Sequence, residues 1–367
     1  MSNLPSNTVG WDIGGAHLKA VLLDAKGEVV NCLQLPCPLW KGLDFLREIL
    51  NALQTFKIEP SSACHAITMT GELVDLFENR HDGVCKIAKT ASDLLGEQVW
   101  FYAANSDIDH GFVRQHDVHR FSSQIASTNW HASASALAMH IQDALFVDIG
   151  STTTDIIAIQ AGTVVSAGLS DAYRLQADSL VYTGVVRTPV MALAQKLPFE
   201  DNEINVAAEF FANMADVYRL TGELLPEYDM ADTADGKGKT ALESARRLAR
   251  MIGHDLELTL NLSLDSSLEK WIKLAFSCRN LQIQQIKQSM LKQLKPSMTI
   301  IGAGAGSFLV KVIADDLGYR FMHGFEYAYD PTSMSPTGPS NLVTQHNIDL
   351  CFPAYAVAYL AHKKLIC

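Results

Sequence analysis

Two stretches of the chain share one pattern of apolar and polar positions. The first begins at Val9 and reads VGWDIGGAHLKAVLLDAKGEVV, and the second begins at Leu145 and reads LFVDIGSTTTDIIAIQAGTVVSAG. In each, an apolar run ends in Asp-Ile-Gly, and two further alternating runs follow across short turns. Alternation of this kind predicts a meander of three antiparallel strands. The repeat therefore predicts a duplicated fold unit.

The segments after each meander extend the duplication. After the first, the pattern predicts a helix over GLDFLREILNALQTF, a strand over HAITMT, a helix over VCKIAKTASDLLG and a strand over QVWFYA. After the second, an insertion comes first, with helices predicted over NVAAEFFANMADVYRL, ALESARRLARMIG and LEKWIKLAFSCRNLQIQQIKQSML. The unit then resumes with a strand SMTIIG, a helix SFLVKVIADDLG and a strand YRFMHG, and the helix PAYAVAYLAHKKL closes the chain.

We therefore expect an α/β protein of two domains. Residues 1–142 form the first domain, and residues 143–352 form the second, with a helical insertion over about 170–297. Residues 353–367 form the closing helix. A length of 367 residues suits two domains better than a single core.

Composition narrows the function classes. No apolar run reaches membrane-spanning length and the N-terminus lacks signal-peptide features, so we expect a cytoplasmic protein without membrane contact. Seven scattered cysteines without a CxxC pair fit reduced thiols. A net charge of −11 argues against nucleic acid as a partner. A phosphorylated small molecule stays open, because backbone amides bind phosphate without a basic surface.

The two Asp-Ile-Gly turns are candidates for phosphate binding. Successive N–H groups of a glycine turn can bind an anion, and an adjacent aspartate can hold a hydrated Mg²⁺ that neutralises it. We expect Asp12 and Asp148 to face one cleft as catalytic and metal-binding residues. Asp155 is a further candidate metal ligand, or it pairs with a strand neighbour. The candidate phosphate-binding residues are Gly14, Gly15, Lys19, Gly150, Ser151, Thr152 and Thr153.

Other candidate site residues each have an alternative interpretation. Lys19 reaches phosphate or caps a surface. Glu72 in TMTGEL is a candidate general base, or it lies in the first turn of a capped helix. The apolar run VYTGVVRTPV predicts a buried Arg187, which contacts substrate or makes an internal ion pair. The glycine turn IIGAGAG places Gly302 and Gly304 where backbone can lie against a nucleoside, so ATP is an open candidate cofactor.

Polar residues elsewhere have simpler interpretations. Glu209, Asp216 and Arg219 have helical spacing and are either ligands or an intrahelical pair. His131 offers acid–base chemistry, but a packing role is favoured for it.

The chain resembles the actin and sugar-kinase superfamily, and more closely the hydantoinase/oxoprolinase-related family linked to tetrahydromethanopterin-dependent C1 transfer. The strings that carry the resemblance, in order along nearly the whole chain, are GWDIGGAHLKA, CPLWKGLD, TMTGELVDLF, ASTNWHA, VDIGSTTTDI, LVYTGVVRTPV, EFFANMADVYRLTGE, TADGKGK and SARRLARMIG. The resemblance implies two RNase-H-like domains, as in actin-like ATPases, around a central cleft. It implies phosphate motifs at Asp12–Lys19 and Asp148–Asp155, an adenosine-type motif at Gly302–Gly306, and a cleft-facing Glu72.

The same resemblance implies a reaction. Members of this family join an (aminomethyl)furanmethyl diphosphate to the phenol oxygen of glutamyl-tyramine and release diphosphate, in methanofuran or methylofuran biosynthesis. The expected partners are therefore two small-molecule substrates and Mg²⁺, and a homo-oligomer is an open expectation. Two rival functions remain: an ATP-dependent kinase or oxoprolinase-like hydrolase, and a nucleotide-switched actin-like binding protein.

Overall fold

The structure, a computed structural model, describes residues 7–104, 108–256, 264–327 and 347–366. The Pro- and Ser-rich segment DPTSMSPTGPSN, expected from its composition to be a surface loop, lies outside these residues. Parts of the predicted insertion and of the predicted second domain also lie outside them.

The first half of the chain folds around a six-stranded sheet. Its strands are β1 (Asn7–Ile13), β2 (His17–Leu23), β3 (Val29–Pro36), β4 (Ala63–Met69), β5 (Val99–Tyr102) and β6 (Phe112–Val113). Its helices are α1 (Glu48–Phe56), α2 (Arg80–Leu95), α3 (Ser122–Ile125) and α4 (Asn129–Ala138). The strand order is β3-β2-β1-β4-β5-β6, and the first three strands form the predicted antiparallel meander.

The second half repeats this arrangement around a second sheet, with the path β10-β8-β7-β13-β14 and β9 beside β8. The strands are β7 (Ala144–Ile149), β8 (Thr154–Gln160), β9 (Thr163–Val165), β10 (Leu180–Val181), β11 (Lys196–Phe199), β12 (Asn202–Asn205), β13 (Thr299–Ala303) and β14 (Phe321–His323). The helices are α5 (Asp171–Gln176), α6 (Val190–Leu193), α7 (Met214–Thr221), α8 (Ala241–Met251), α9 (Leu264–Gln293), α10 (Ser307–Leu317) and α11 (Phe352–Ala361).

The register of the strands confirms the predicted duplication. Asp12 pairs with Lys19 between β1 and β2, and Asp148 pairs with Asp155 between β7 and β8. In each half the strand that carries the aspartate also has a parallel neighbour, β4 in the first sheet and β13 in the second. Asp12 and Asp148 therefore occupy equivalent positions of two related sheets.

The insertion differs from the prediction in its first part. The segment NVAAEFFANMADVYRL is α-helical only from Met214, because Asn213 caps α7 in a reciprocal hydrogen-bonded box with Asp216. The sequence analysis also missed the hairpin of β11 and β12, which turns at Glu200 with a φ of 53°. Within the described part of the chain, no helix is both long and apolar enough to cross a membrane.

The closing helix α11 contacts both halves. A side chain at Gly10 on β1 would place its Cβ 2.0 Å from the Ala354 carbonyl oxygen, so glycine permits the close approach of α11 to the first sheet. On the second sheet, the Phe352 ring centroid lies 5.5 Å from that of Phe146. The helix therefore packs between the halves, and Pro353 in its first turn lines the cleft described below.

Candidate active site

A cleft of about 270 Å³ brings the two duplicated turns together. Asp12 and Asp148 both line it, near the ends of β1 and β7, which is the placement that the repeated pattern predicts. The predicted phosphate-binding residues that also line the cleft are Gly14, Gly15, Lys19, Gly150, Ser151, Thr152 and Thr153. The duplication thus places two glycine turns on one cavity.

Each turn is closed by the same kind of backbone hydrogen bond. The Gly14 N–H donates to the His17 carbonyl, and the Gly150 N–H donates to the Thr153 carbonyl. Each hydrogen bond is 2.9 Å long. A residue beyond the second turn also stabilises it, because the Arg187 N–H donates to the Ser151 carbonyl at 2.8 Å. The segment VYTGVVRTPV therefore supports the second turn through its backbone.

Lys19 lies beside the buried carboxylates of the cleft. Its Nζ is 3.7 Å from Asp12 Oδ2, and its side chain is 20% exposed. Burial raises the pKa of Asp12, although Lys19 opposes this, and burial raises the pKa of Asp148 to about 7. Burial alone would lower the pKa of Lys19, but Asp12 and then Asp148 outweigh it and raise that pKa. Lys19 is thus a cation on the cleft surface, as the phosphate-binding alternative requires.

The carboxylates of the cleft fit a magnesium ion that has few protein ligands. Asp12 Oδ1 is buried and has no hydrogen-bond partner among the described residues, so it can accept a cation. No group of three or more His, Cys, Asp or Glu residues converges on a metal position within the same part of the chain. Mg²⁺ commonly uses one or two carboxylates and takes its other ligands from water and phosphate. Asp12 and Asp148 suit that kind of site.

Asp155 makes an ion pair with Arg174 of α5, and its role as a metal ligand stays a prediction. Arg174 donates from its terminal nitrogen to Asp155 Oδ1 at 2.5 Å, and the Arg174 side chain is 3% exposed. The guanidinium of Arg174 also lies over the Trp130 ring, 4.2 Å from the centroid. Asp155 lines the cleft, but its charge is already compensated. The sequence analysis missed Arg174, because no motif or spacing relates it to Asp155.

Arg187 also lines the cleft, but it is exposed and not buried as the apolar run predicted. Within the described chain it makes no ion pair, so the ion-pair alternative finds no support. Its guanidinium lies 5.8 Å from the ring centroid of Trp40. His17, a lining residue that the sequence analysis missed, has its pKa lowered to about 4 by burial and by the nearby Lys19 and Arg187. Arg187 and Lys19 are thus cations that face the cavity.

Glu72 does not face the cleft, and this corrects the expectation drawn from the resemblance. The residue lies in the short 3-10 turn Gly71–Leu73 after β4, is 1% exposed, and is absent from the cleft lining. Close packing fixes it there, because a Cβ at Gly83 on α2 would lie 2.7 Å from the Glu72 carbonyl oxygen. Ser127, which does line the cleft, donates from Oγ to Glu72 Oε1 at 2.6 Å. A substrate in the cleft can therefore contact Ser127, whereas Glu72 is buried on the far side of Ser127 from the cavity.

The burial of Glu72 predicts a pH-dependent stability effect of Glu72→Gln. Burial raises the pKa of Glu72 to about 7 from its ordinary value of 4.5. Because the folded-state pKa is raised, the stability contributed by Glu72 is present below pH 4.5 and is lost as the pH rises through 7. Thermal denaturation should therefore show Glu72→Gln more stable than wild type at pH 8, by about 3 kcal/mol, with the difference vanishing in acid. A difference of the same size at both pH values, or one matched by the exposed-site control Glu97→Gln, would contradict this.

The third glycine turn packs inside the protein. A Cβ at Gly304, whose φ is 80°, would lie 2.2 Å from Asp148 Oδ1, and a Cβ at Gly302 would lie 2.8 Å from the Phe321 ring. Neither glycine lines the cleft. In the structure both glycines permit close packing around Asp148 and β13, and the cofactor-binding role of Gly302 and Gly304 stays a prediction.

The remaining polar candidates are structural. Asp216 is fully buried and accepts hydrogen bonds from Arg219 and Arg247, while Glu209 lies before α7 and outside it. The Tyr102 hydroxyl lies 2.7 Å from His131 Nδ1, and burial lowers the pKa of His131 to about 4. These contacts support the internal-pair interpretation for Asp216 and Arg219 and the packing interpretation for His131.

Two α/β halves with equivalent aspartates and glycine turns on one cleft define a duplicated α/β fold of the actin-like type. The chain belongs to the hydantoinase/oxoprolinase family, whose sequence profile matches residues 63–336, so the predicted family is confirmed.

Two relatives carry the name "(4-{4-[2-(gamma-L-glutamylamino)ethyl]phenoxymethyl}furan-2-yl)methanamine synthase". The protein from Methanocaldococcus jannaschii is 28% identical over 97% of this chain and 98% of its own length. The protein from Methanococcus vannielii is 31% identical over 44% of this chain and 72% of its own length. Their names agree with the predicted enzyme class and reaction.

Among solved structures, a nucleotide-free structure of acetone carboxylase superposes with a TM-score of 0.50 at 9% identity. The superposition covers 86% of this chain and 68% of the acetone carboxylase chain. At that identity the likeness concerns the fold alone.

Proposed function

We propose that the protein is a transferase that joins an (aminomethyl)furanmethyl diphosphate to the phenol oxygen of glutamyl-tyramine and releases diphosphate. The observation that carries the proposal is the meeting of two Asp-Ile-Gly turns on one cleft, with the Lys19 cation beside Asp12. Such a cleft can bind a diphosphate from two sides. The names of the synthase relatives, one aligned over nearly the whole chain, suggest the two substrates.

The reaction depends on stabilising the leaving group. The furan oxygen can feed electrons towards the breaking C–O bond, so negative charge accumulates on the departing diphosphate. Lys19, Arg187 and the backbone amides of the two glycine turns are groups of the cleft that can bind this charge. Asp12 and Asp148 would hold Mg²⁺, which when bound neutralises part of the diphosphate charge.

This reaction does not require ATP. The glycine segment expected to hold adenosine packs against Asp148 and Phe321 and does not open onto the cleft. That packing supports a cleft that receives the diphosphate of a substrate. We therefore place the ATP-dependent kinase or hydrolase second among the candidate functions, and the nucleotide-switched protein third.

The test is turnover without nucleotide. Purified protein given the diphosphate donor, glutamyl-tyramine and Mg²⁺ should form the ether and free diphosphate in equal amounts, measured by mass spectrometry and a diphosphate assay. Excess chelator should stop both. Product that appears only with ATP, together with ADP, would favour the kinase or hydrolase. Tight nucleotide binding without turnover of either kind would favour the switch protein.

A further inference from the structure

Ser127 occupies a strained position on the wall of the cleft. It lies in the turn between α3 and α4 with a φ of 51°, a left-handed conformation that is unusual for serine. The turn is fixed against the first sheet, because Ala126 forms an isolated parallel bridge with Met69 at the end of β4. Thr70 and Asn129 also line the cleft. Strain of this kind is often retained where a side chain must point at a reacting group.

Glu72 lies directly behind this serine and is sealed from solvent. Its Oε1 accepts the Ser127 hydroxyl at 2.6 Å, and its Oε2 is buried without a hydrogen-bond partner among the described residues. The charged residues whose fields reach Glu72 are Arg80 of α2, which favours the carboxylate, and Asp171 of α5, which disfavours it. A buried carboxylate with an unused oxygen is costly, so its presence beside the cleft calls for a role.

We propose that Ser127 and Glu72 form a proton relay that deprotonates the acceptor phenol. The proposal rests on the proposed function and identifies its general base. The phenol hydroxyl donates its proton to Ser127 Oγ while the Ser127 proton moves to Glu72 Oε1. The phenol oxygen forms a bond to the methylene carbon of the donor, and the electron pair of the breaking C–O bond leaves with diphosphate. The net change is one proton moved from the phenol to Glu72 and one diphosphate released, so no further reactant is needed.

The relay explains how a residue outside the cavity can serve as the base. Glu72 is absent from the cleft lining, whereas Ser127 lines the cavity and its hydroxyl already donates to the Glu72 carboxylate. A free phenol has a pKa of about 10, so an acceptor for its proton is needed near neutral pH. Burial raises the pKa of Glu72 to about 7, which makes it a stronger base than an exposed glutamate.

The test compares acceptors whose phenols differ in acidity. Wild type, Glu72→Gln, Ser127→Ala and Ser127→Gly are assayed with glutamyl-tyramine and with ring-fluorinated forms that are already ionised at the assay pH. Ser127→Gly accepts the positive φ without strain, and so protects the test against misfolding. Ser133→Ala, a buried serine of α4 that does not line the cleft, is the matched control. Each variant is checked for folding by thermal denaturation.

With ordinary glutamyl-tyramine, the three relay variants should lose about a hundredfold to a thousandfold in kcat/KM. With the ionised acceptors that loss should shrink to less than about tenfold, because no proton then has to be removed. The rise of wild-type kcat/KM through about pH 7 should be absent in Glu72→Gln. An equal loss with every acceptor, or no loss, would overturn the relay while leaving the transferase intact. Failure of the wild-type protein to form the ether with any acceptor would overturn both proposals.

Discussion

Asp148→Asn should lower the rate of ether formation about a thousandfold while the protein stays folded. Asparagine keeps the shape of the side chain but removes the negative oxygen that would hold Mg²⁺ beside the diphosphate. Because Asp148 and Asp12 occupy equivalent positions on one cleft, Asp12→Asn should have a loss of the same order. Initial rates of diphosphate release at saturating substrate measure the effect.

Stability should move in the opposite direction to activity in Asp148→Asn. Burial raises the pKa of Asp148 to about 7, so its stabilising contribution is present below pH 3.8 and is lost as the pH rises through 7. At pH 8 the asparagine variant should therefore have a Tm at or above that of wild type. Asp201→Asn, at an exposed position of the β11–β12 hairpin, is the control for both measurements. A rate of ether formation near that of wild type in Asp148→Asn would show that the second turn has no role in the reaction.

Arg247→Met should destabilise the protein by about 3 kcal/mol, a large effect for a single residue. Arg247 is fully buried, and its guanidinium donates to Asp216 Oδ1 at 2.9 Å and to Asp235 Oδ1 at 3.0 Å. Methionine fills similar volume, but it leaves the fully buried Asp216 with less compensation for its charge. Urea denaturation monitored by circular dichroism measures the change in unfolding free energy.

The same helix offers a matched control. Arg250 on α8 also contacts Asp235, at 3.4 Å, but its side chain is 41% exposed. Arg250→Met should therefore cost less than about 1 kcal/mol. Since neither arginine lines the cleft, kcat per folded molecule should stay unchanged in both variants. Equal losses of stability in Arg247→Met and Arg250→Met would show that the buried ion pair of Asp216 and Arg247 is not what stabilises the insertion.

Local sequence signals predicted the two aspartate-glycine turns that line the cleft. Alternating runs that end in Asp-Ile-Gly specify strand and turn together, and their duplication is enough to place Asp12 and Asp148 on one cleft from the residues alone. A glycine turn is less specific than this. At Gly304 the missing side chain makes room for Asp148, and sequence alone does not separate such packing from space for a nucleoside.

The residues that sequence analysis misplaced or missed depend on long-range packing. Glu72 was expected on the cleft, but the 3-10 turn after β4 and the approach of α2 at Gly83 place it behind Ser127. Arg174 and Asp155 lie on α5 and β8, and no periodicity of either element relates them. In the insertion, the helical spacing of the sequence predicted a helix that includes NVAAEFF. The structure begins α7 at Met214, because Asn213 caps it there.

The position of bond cleavage in the donor tests most directly whether this cleft expels a diphosphate from carbon. The donor is prepared with a heavy oxygen isotope in the bridge between its methylene carbon and its first phosphorus, and the products are analysed by mass spectrometry. Attack by the phenol oxygen on carbon should place all of the label in the released diphosphate and none in the ether. Label that stays with the furan-containing product would mean cleavage between oxygen and phosphorus, as in a phosphoryl transferase or hydrolase, and would contradict the proposed reaction.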